Sequence, residues 1–586
     1  MMVWYWYRSS LSRSMGVLSG EDGRDETELI RTSYRLVFIT FILSTCSTCS
    51  DGAFFLNDPY GRAFVSLHNE KIAPVSTTNT EAQRIFREKA KTFGQSEEEI
   101  QKVKYYLEKI QKLEANEHPE EILQRHATKS SGAFAIEVAK FERRQKDSVL
   151  LNPEENGRYY EGDIVLDAQQ AHEIYENTLH HSRRTKRKLI RSELRRWDSR
   201  KPIVYSFDGS HTMREQRVIE LALEHWHNIT CLNFERRDDE IQENRIVFTD
   251  VDGCASNVGR HPLGEPQFVS LAPECIRLGV IAHEVAHALG FWHEQSRPDR
   301  DNYVTVRWEN IDRDSKGQFL KELPADVDNG GVPYDYGSIM HYRSKAFGRY
   351  EDLFTLSTNI VDYQKTIGQR DQLSFNDIRL MNVIYCSDSC ARKLPCQRGG
   401  YTDPRRCGRC RCPDGFTGKL CEQVMPGFGA NCGGRMELTS SWKRIASPNY
   451  PREFKEGQEC SWLLVAPPGQ RVQLRFYGEF EMYCKVRHSL CMDYIEIRNS
   501  TDFANTGMRY CCYGTPQSSI MSATEDMLVL FRSFYRGGKG FQAQVRALPA
   551  TVVHSRRVRS ADKLYTKEFE ATKQNKYIAE DLNTIR

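Results

Sequence analysis

Residues 278–293 read Leu278-Gly-Val-Ile-Ala-His283-Glu284-Val-Ala-His287-Ala-Leu-Gly290-Phe-Trp-His293. The apolar lead-in predicts a buried helix. On a helix, positions i and i+4 face the same way, so His283 and His287 can offer two nitrogens to one metal ion. Glu284 stands one residue along, beside the metal and not on it, where it can take a proton from water. Gly290 lets the chain leave the helix in a left-handed conformation. That turn brings His293 back as a third ligand. Three imidazoles leave one position open for water, which marks a catalytic zinc site and not a structural one. The competing reading is a helix with chance histidines. The added glycine and third histidine make that rarer by about a few hundred-fold than a bare His-Glu-x-x-His.

Working outward, Ser338-Ile-Met340-His-Tyr342 follows the third histidine by some fifty positions. With His293-Glu-Gln-Ser-Arg-Pro-Asp-Arg-Asp301, these stretches resemble an astacin-family zinc endopeptidase of the metzincin group, over residues 188–387. The resemblance implies an α+β, two-lobed protease domain with a zinc cleft. It implies zinc ligands His283, His287 and His293, and Glu284 as general base. Met340 would form an apolar floor beneath the histidines. Tyr342 would be a switchable ligand that swings away to stabilise the oxyanion. Glu294 would anchor the new α-amino group of the mature chain. Implied disulfides are Cys231–Cys386 and Cys254–Cys275. Lys365 and Arg370 fall where the family lines its primed-side pocket; basic side chains there favour an acidic residue after the scissile bond.

The resemblance also reaches upstream. Tyr159-Tyr-Glu-Gly-Asp163-Ile resembles the aspartate switch of astacin precursors, in which Asp163 would take the place of the catalytic water on zinc. Arg183-Arg-Thr-Lys-Arg187-Lys188 reads as a proprotein-convertase site, cut after Arg187 to leave Lys188 as mature start. Counting back from Trp197, which resembles a landmark near the family's mature start, gives the same residue.

The whole chain has 586 residues, 82 Lys+Arg against 79 Asp+Glu, and a net charge of +3, so no basic field argues for nucleic acid. No apolar run approaches the roughly 18–20 residues of a membrane span. Sixteen of the 18 cysteines crowd between positions 231 and 512, an even set that predicts disulfides and an oxidising compartment. Leu36–Leu43 is a short apolar run with Arg31 and Arg35 before it and small residues after it, the layout of a secretory signal. Residues 1–50 are thus read as an N-terminal extension with signal peptide, with Met15 an alternative start. Residues 51–187 are cysteine-free and charged, with helical spacing in Ser96–Leu113 and Ala133–Arg144, and read as a mostly helical propeptide.

Two accessory modules follow. Residues 388–422 hold six cysteines in a stretch too short for a hydrophobic core, so disulfides must hold it. With Cys412-Pro-Asp-Gly-Phe-Thr-Gly-Lys-Leu-Cys421 they resemble an EGF-like module, implying Cys390–Cys407, Cys396–Cys410 and Cys412–Cys421. Residues 432–546 alternate apolar and polar positions in strand-like runs such as Asp493–Arg498 and Met527–Phe531, reading as an all-β sandwich. Cys432-Gly-Gly, Ser447-Pro-Asn-Tyr-Pro and Gly540-Phe541 resemble a CUB domain, implying Cys432–Cys460 and Cys491–Cys511, with Cys484 and Cys512 left to pair. Glu481 and Asp493 match part of a CUB calcium site, but Phe534 stands where a second Asp is expected. Asn228-Ile-Thr and Asn499-Ser-Thr are glycosylation sequons. Residues 549–586 read as a polar tail. The expectation is a secreted zinc endopeptidase made as a zymogen, acting on extracellular proteins such as procollagen or cuticle collagen, without stable membrane insertion. Moulting, hatching and growth-factor activation are alternative tasks, and an inactive matrix-binding scaffold is the remote one.

Overall fold

The computed structural model describes residues 88, 91, 93–117, 159–179 and 189–550, except 191, 239–243, 252, 323–326, 351, 486–488 and 536. The signal-like run Leu36–Leu43, the stretch Ala133–Arg144, the Arg187-Lys188 junction and the tail beyond residue 550 lie outside the described residues.

Helix α1 spans Glu97–Glu117. Its start is fixed locally: the Ser96 hydroxyl accepts from the Glu99 N–H, and three glutamates sit at the positive end of the helix dipole. Strand β1 is Ile164–Val165 and helix α2 is Ala168–Leu179. Tyr106 of α1 lies against His172 and Tyr175 of α2, which anchors both helices on the protease core.

The core is built on a six-stranded sheet with β2 (Leu189–Ile190) set apart from it. Its strands are β3 (Ile203–Phe207), β4 (Phe234–Arg236), β5 (Ile246–Thr249), β6 (Cys254–Asn257) and β7 (Gln267–Leu271), joined by β1 in the order β1-β6-β7-β5-β3-β4. Only β6 and β7 run antiparallel; β1 pairs parallel to β6, with Ile164 opposite Ser256 and Val165 opposite Asn257. Strands β3, β5 and β7 are buried throughout, as central strands covered on both faces are.

Helix α3 (Met213–Ile229) starts in a capping box between Thr212 and Glu215, and turns Val218, Ile219, Ala222, Leu223, Trp226 and Ile229 inward. Helix α4 (Leu278–Ala288) is the metal-motif helix and is buried on all sides bar Leu278 at its start. Trp226 Nε1 donates to the Ala282 carbonyl, and Trp197 Nε1 donates to Ala288 at the other end. Gly279 is needed because a Cβ there would sit 1.8 Å from the Arg370 carbonyl oxygen. Helix α5 (Phe375–Tyr385) begins in a second capping box, Ser374 with Asp377. Disulfides tie Cys231 after α3 to Cys386 after α5, and Cys254 on β6 to Cys275 before α4.

Residues 390–424 carry two small two-stranded sheets held by Cys390–Cys407, Cys396–Cys410 and Cys412–Cys421. Beyond them a five-stranded and a four-stranded sheet face each other over an apolar core that includes Trp462, Val472, Leu474, Ile495, Phe531 and Phe541. Cys432–Cys460, Cys484–Cys512 and Cys491–Cys511 cross-link this sandwich. The strand expected at Asp493–Arg498 begins at Tyr494, because the Asp493 carboxylate is turned to accept from the Phe534 and Tyr535 N–H groups. Every described residue falls within one compact unit, residues 72–586. Among the described residues no helix is long and apolar enough to cross a membrane.

Candidate metal centre and its clamp

Helix α4 delivers His283 and His287 one turn apart, their Nε2 atoms 3.2 Å from each other. Gly290 has φ 106°, the left-handed turn the spacing predicts, and His293 follows it back to the pair. The outer nitrogens are committed. His283 Nδ1 donates to the Ile339 carbonyl at 2.9 Å, and His287 Nδ1 donates to Phe291 at 2.7 Å. A carbonyl can only accept, so these rings carry their proton on Nδ1 and point an Nε2 lone pair inward. His293 Nδ1 lies 2.7 Å from the Glu161 carboxylate.

Asp163 closes the cluster. Its carboxylate oxygens lie 3.1 Å from His283 Nε2, 3.5 Å from His287 Nε2 and 3.4 Å from His293 Nε2. All four side chains are buried. Ligands about 2.0–2.1 Å from a tetrahedral zinc ion are about 3.3 Å apart, so three imidazoles and one carboxylate that approach this closely make a donor set that suits that ion. Charge agrees with geometry. Burial would raise the Asp163 carboxyl, but the neighbouring imidazoles of His293 and His287 hold it well below the usual carboxylate range. Burial would lower His293, yet the Asp163 and Glu161 carboxylates lift it to about 9. Two buried carboxylates among imidazoles call for positive charge, which a divalent ion supplies. His283, by contrast, is held well below its ordinary value by burial and by the Arg370 guanidinium, which suits a neutral ligand.

The segment bearing Asp163 is clamped along its length. Gly162 has φ 89°, which turns the backbone into the cleft. Gly162 N–H donates to Gln318 Oε1, and Gln318 Nε2 donates back to the Tyr159 carbonyl. The Tyr160 hydroxyl donates to Glu322, Tyr342 donates to the Glu161 carbonyl, and the Asp163 carbonyl accepts from Ser256 N–H. Asp167 pairs with the buried Arg195.

Other sequence-marked residues fall as follows. Glu284 is fully buried on α4. Met340 is buried in the protease core, and its carbonyl accepts from Glu294 N–H. Glu294 Oε1 accepts from Asp335 N–H at 2.8 Å and pairs with Arg297. Arg370 is buried, donating to the His341 carbonyl, while Lys365 is half-buried. Asn228 is exposed; the Asn499 amide donates to the Met521 carbonyl. Sequence reasoning missed Glu161, Gln318 and Glu322. The acidic pair flanking Gly162 was the one local hint, and the other two contact the segment from more than 150 residues away.

Three convergent imidazoles, two from a His-Glu-x-x-His helix and one from beyond its glycine turn, define a zinc-dependent peptidase. Residues 189–386 match the Astacin peptidase family, and residues 432–544 match the CUB domain. The chain is 82% identical over 574 residues to Zinc metalloproteinase dpy-31 of Brugia malayi, spanning 94% of this chain and 95% of that one. It is 73% identical over 455 residues to the Caenorhabditis elegans protein of the same name, spanning 78% and 75% of the two chains. Among solved structures, the hatching enzyme zinc-protease High choriolytic enzyme 1 from Oryzias latipes is 38% identical, covering 31% of this chain and 88% of its own, with a TM-score of 0.29. The chain belongs to the astacin family and is a zinc metalloproteinase.

Proposed function

We propose that this chain is the latent precursor of a secreted endopeptidase that trims extracellular matrix proteins, collagen-like precursors foremost. The observation that carries the latency is the Asp163 carboxylate among the three imidazoles. When bound by His283, His287 and His293, zinc supplies Lewis acidity at the scissile carbonyl and lowers the pKa of water. Glu284 takes the proton from the attacking water on its carboxylate and passes it to the leaving amine. Tyr342, once freed from the Glu161 carbonyl, donates its hydroxyl to the oxygen on which charge develops.

In this reading a proprotein convertase cuts after Arg187, the segment around Asp163 leaves, and Lys188 becomes the first residue, its amine settling against Glu294. Lys365 and Arg370 bias the primed side toward an acidic residue. Residues 388–422 act as an EGF-like spacer and the CUB domain engages substrate. Asn228 and Asn499 carry glycans. Eight disulfides among the described residues support an oxidising, extracellular destination. The peptidase chemistry of this reading is supported by the relatives named Zinc metalloproteinase dpy-31.

The test uses chain secreted from residue 51 onward, before and after convertase treatment. Substrates are quenched peptides with Asp or Glu after the cut, and a procollagen fragment. Cleavage that appears only after treatment, starts a chain at Lys188 and disappears with chelator is the expected result. Equal activity before and after treatment would overturn the latency, and cuts without an acidic residue would overturn the pocket assignment.

A further inference from the structure

The CUB domain packs against the protease domain beside the Gly337–Ile339 turn. Its contact loop, Phe503–Arg509, is shaped from within its own sandwich. Buried Glu496 accepts from Arg498 Nε at 2.7 Å and Gly507 N–H at 2.9 Å, and pairs with Arg509 at 3.1 Å. Arg509 in turn lies 4.1 Å over the Tyr494 ring. A loop fixed this way presents its tip in one conformation.

That tip reaches the protease domain at several points. Thr366 Oγ1 donates to the Gly507 carbonyl and accepts from Arg509 N–H. Asn376 Nδ2, at the start of α5, donates to Asn505 Oδ1 at 2.8 Å. Tyr535, from a neighbouring CUB loop, donates to Asp371. Tyr363 packs against the CUB core and stacks on Tyr336, ring centroids 4.3 Å apart. The tightest meeting is Thr506 with Gly337: a Cβ on Gly337 would lie 2.3 Å from Thr506 Cγ2 and 2.5 Å from its hydroxyl.

Gly337 opens the turn that sets the ligand geometry. Its N–H donates to Asp335 Oδ1, and Asp335 N–H donates to Glu294. Asp377 accepts from the Ser338 hydroxyl and Ile339 N–H. The Ile339 carbonyl then holds His283 Nδ1. Thr506 thus presses on a turn whose third residue orients a zinc ligand.

We propose that the CUB domain is a positioning part of the catalytic unit, with Thr506 the residue that holds the Gly337–Ile339 turn, and through it His283, in register. This rests on the zinc-peptidase assignment and is independent of latency or substrate choice. The CUB domain therefore influences turnover of a peptide too short to touch its outer surface.

The experiment uses the full chain after cleavage following Arg187, and a short quenched peptide that the unaltered protein cleaves. Cleavage by that protein secures the peptidase reading before any variant is compared. The variants are Gly337→Ala, Thr506→Gly and the pair. Gly337 has an ordinary φ, so the added methyl tests space alone. Gly337→Ala is expected to lower kcat by roughly ten- to a hundredfold through misplacement, with KM within about twofold and zinc content unchanged. Thr506→Gly makes the space, so the paired variant recovers to the level of Thr506→Gly alone. Additive losses in the pair, or a Gly337→Ala enzyme as fast as the parent, would overturn the proposal. If Gly337→Ala does not accumulate, Thr366→Val removes the hydroxyl that bridges Gly507 and Arg509. It is expected to lower kcat and speed hydrogen exchange at Ile339. A lowered Tm with unchanged kcat would show a merely structural contact and overturn the assignment.

Discussion

Replacing Asp163 with Ala in a precursor that also carries Arg187→Ala isolates latency from processing. The carboxylate makes three close approaches to ligand imidazoles, at 3.1, 3.4 and 3.5 Å, from a fully buried position. Losing one partner of such a buried charged cluster is worth about 3–4 kcal/mol. The remaining clamps, Gln318, Glu322, Tyr342 and the β1–β6 pairing, stay in place. The segment therefore still lines the cleft, but the fraction of molecules open to water and peptide rises. At a factor of ten per 1.4 kcal/mol, the uncut precursor should gain activity on a short quenched peptide by roughly a hundred- to a thousandfold. Activity still stays below that of processed enzyme. The assay compares initial rates of the uncut single and double variants at equal zinc content, with the intact Arg187→Ala chain confirmed by mass. Equal rates with and without the Asp163 carboxylate would refute the reasoning.

Other outcomes follow from the same contacts. Glu161→Gln weakens one charge-assisted hydrogen bond to His293 Nδ1, worth about 1.5–3 kcal/mol. It should raise uncut-precursor activity by roughly ten- to a hundredfold, measured in the same assay. Glu284→Ala in processed enzyme should lower kcat by about 10²–10⁴ while leaving zinc content, read by elemental analysis, unchanged. Removing Cys231–Cys386, which closes 155 residues, should cost about 5 kcal/mol, seen as a fall in denaturation midpoint under oxidising conditions. The Asp335 carboxyl is raised to about 6 by burial, then by Asp377 and Glu294. A carboxyl raised in the folded state binds its proton more tightly there than when unfolded. Stability from this group is therefore full below about pH 4 and falls as pH rises to about 6. Asp335→Asn should flatten that slope in urea titrations from pH 4 to 7; an unchanged slope would assign it elsewhere.

The metal site was readable because its information is local. His283, Glu284 and His287 lie within one helical turn, and Gly290 marks the turn that returns His293. The β-sandwich was readable from alternation; the strand expected from Asp493 starts one residue later, where the Asp493 carboxylate is engaged elsewhere. The clamp on Asp163 was half legible. Asp163 stands in a recognisable string, but Gln318 and Glu322 become its neighbours only through tertiary packing. The seating of Thr506 against Gly337 had no sequence signature: a threonine in one module and a glycine in another give no periodicity to detect. For Arg370 the sequence shows the basic character but not the setting: its guanidinium is buried and donates to the His341 carbonyl.

Diffraction from precursor crystals across the zinc absorption edge tests the central claim most directly. The account predicts one anomalous peak per chain, bonded to Nε2 of His283, His287 and His293 and to an Asp163 carboxylate oxygen. A peak with Asp163 displaced from it, or no peak at the three histidines, would contradict it.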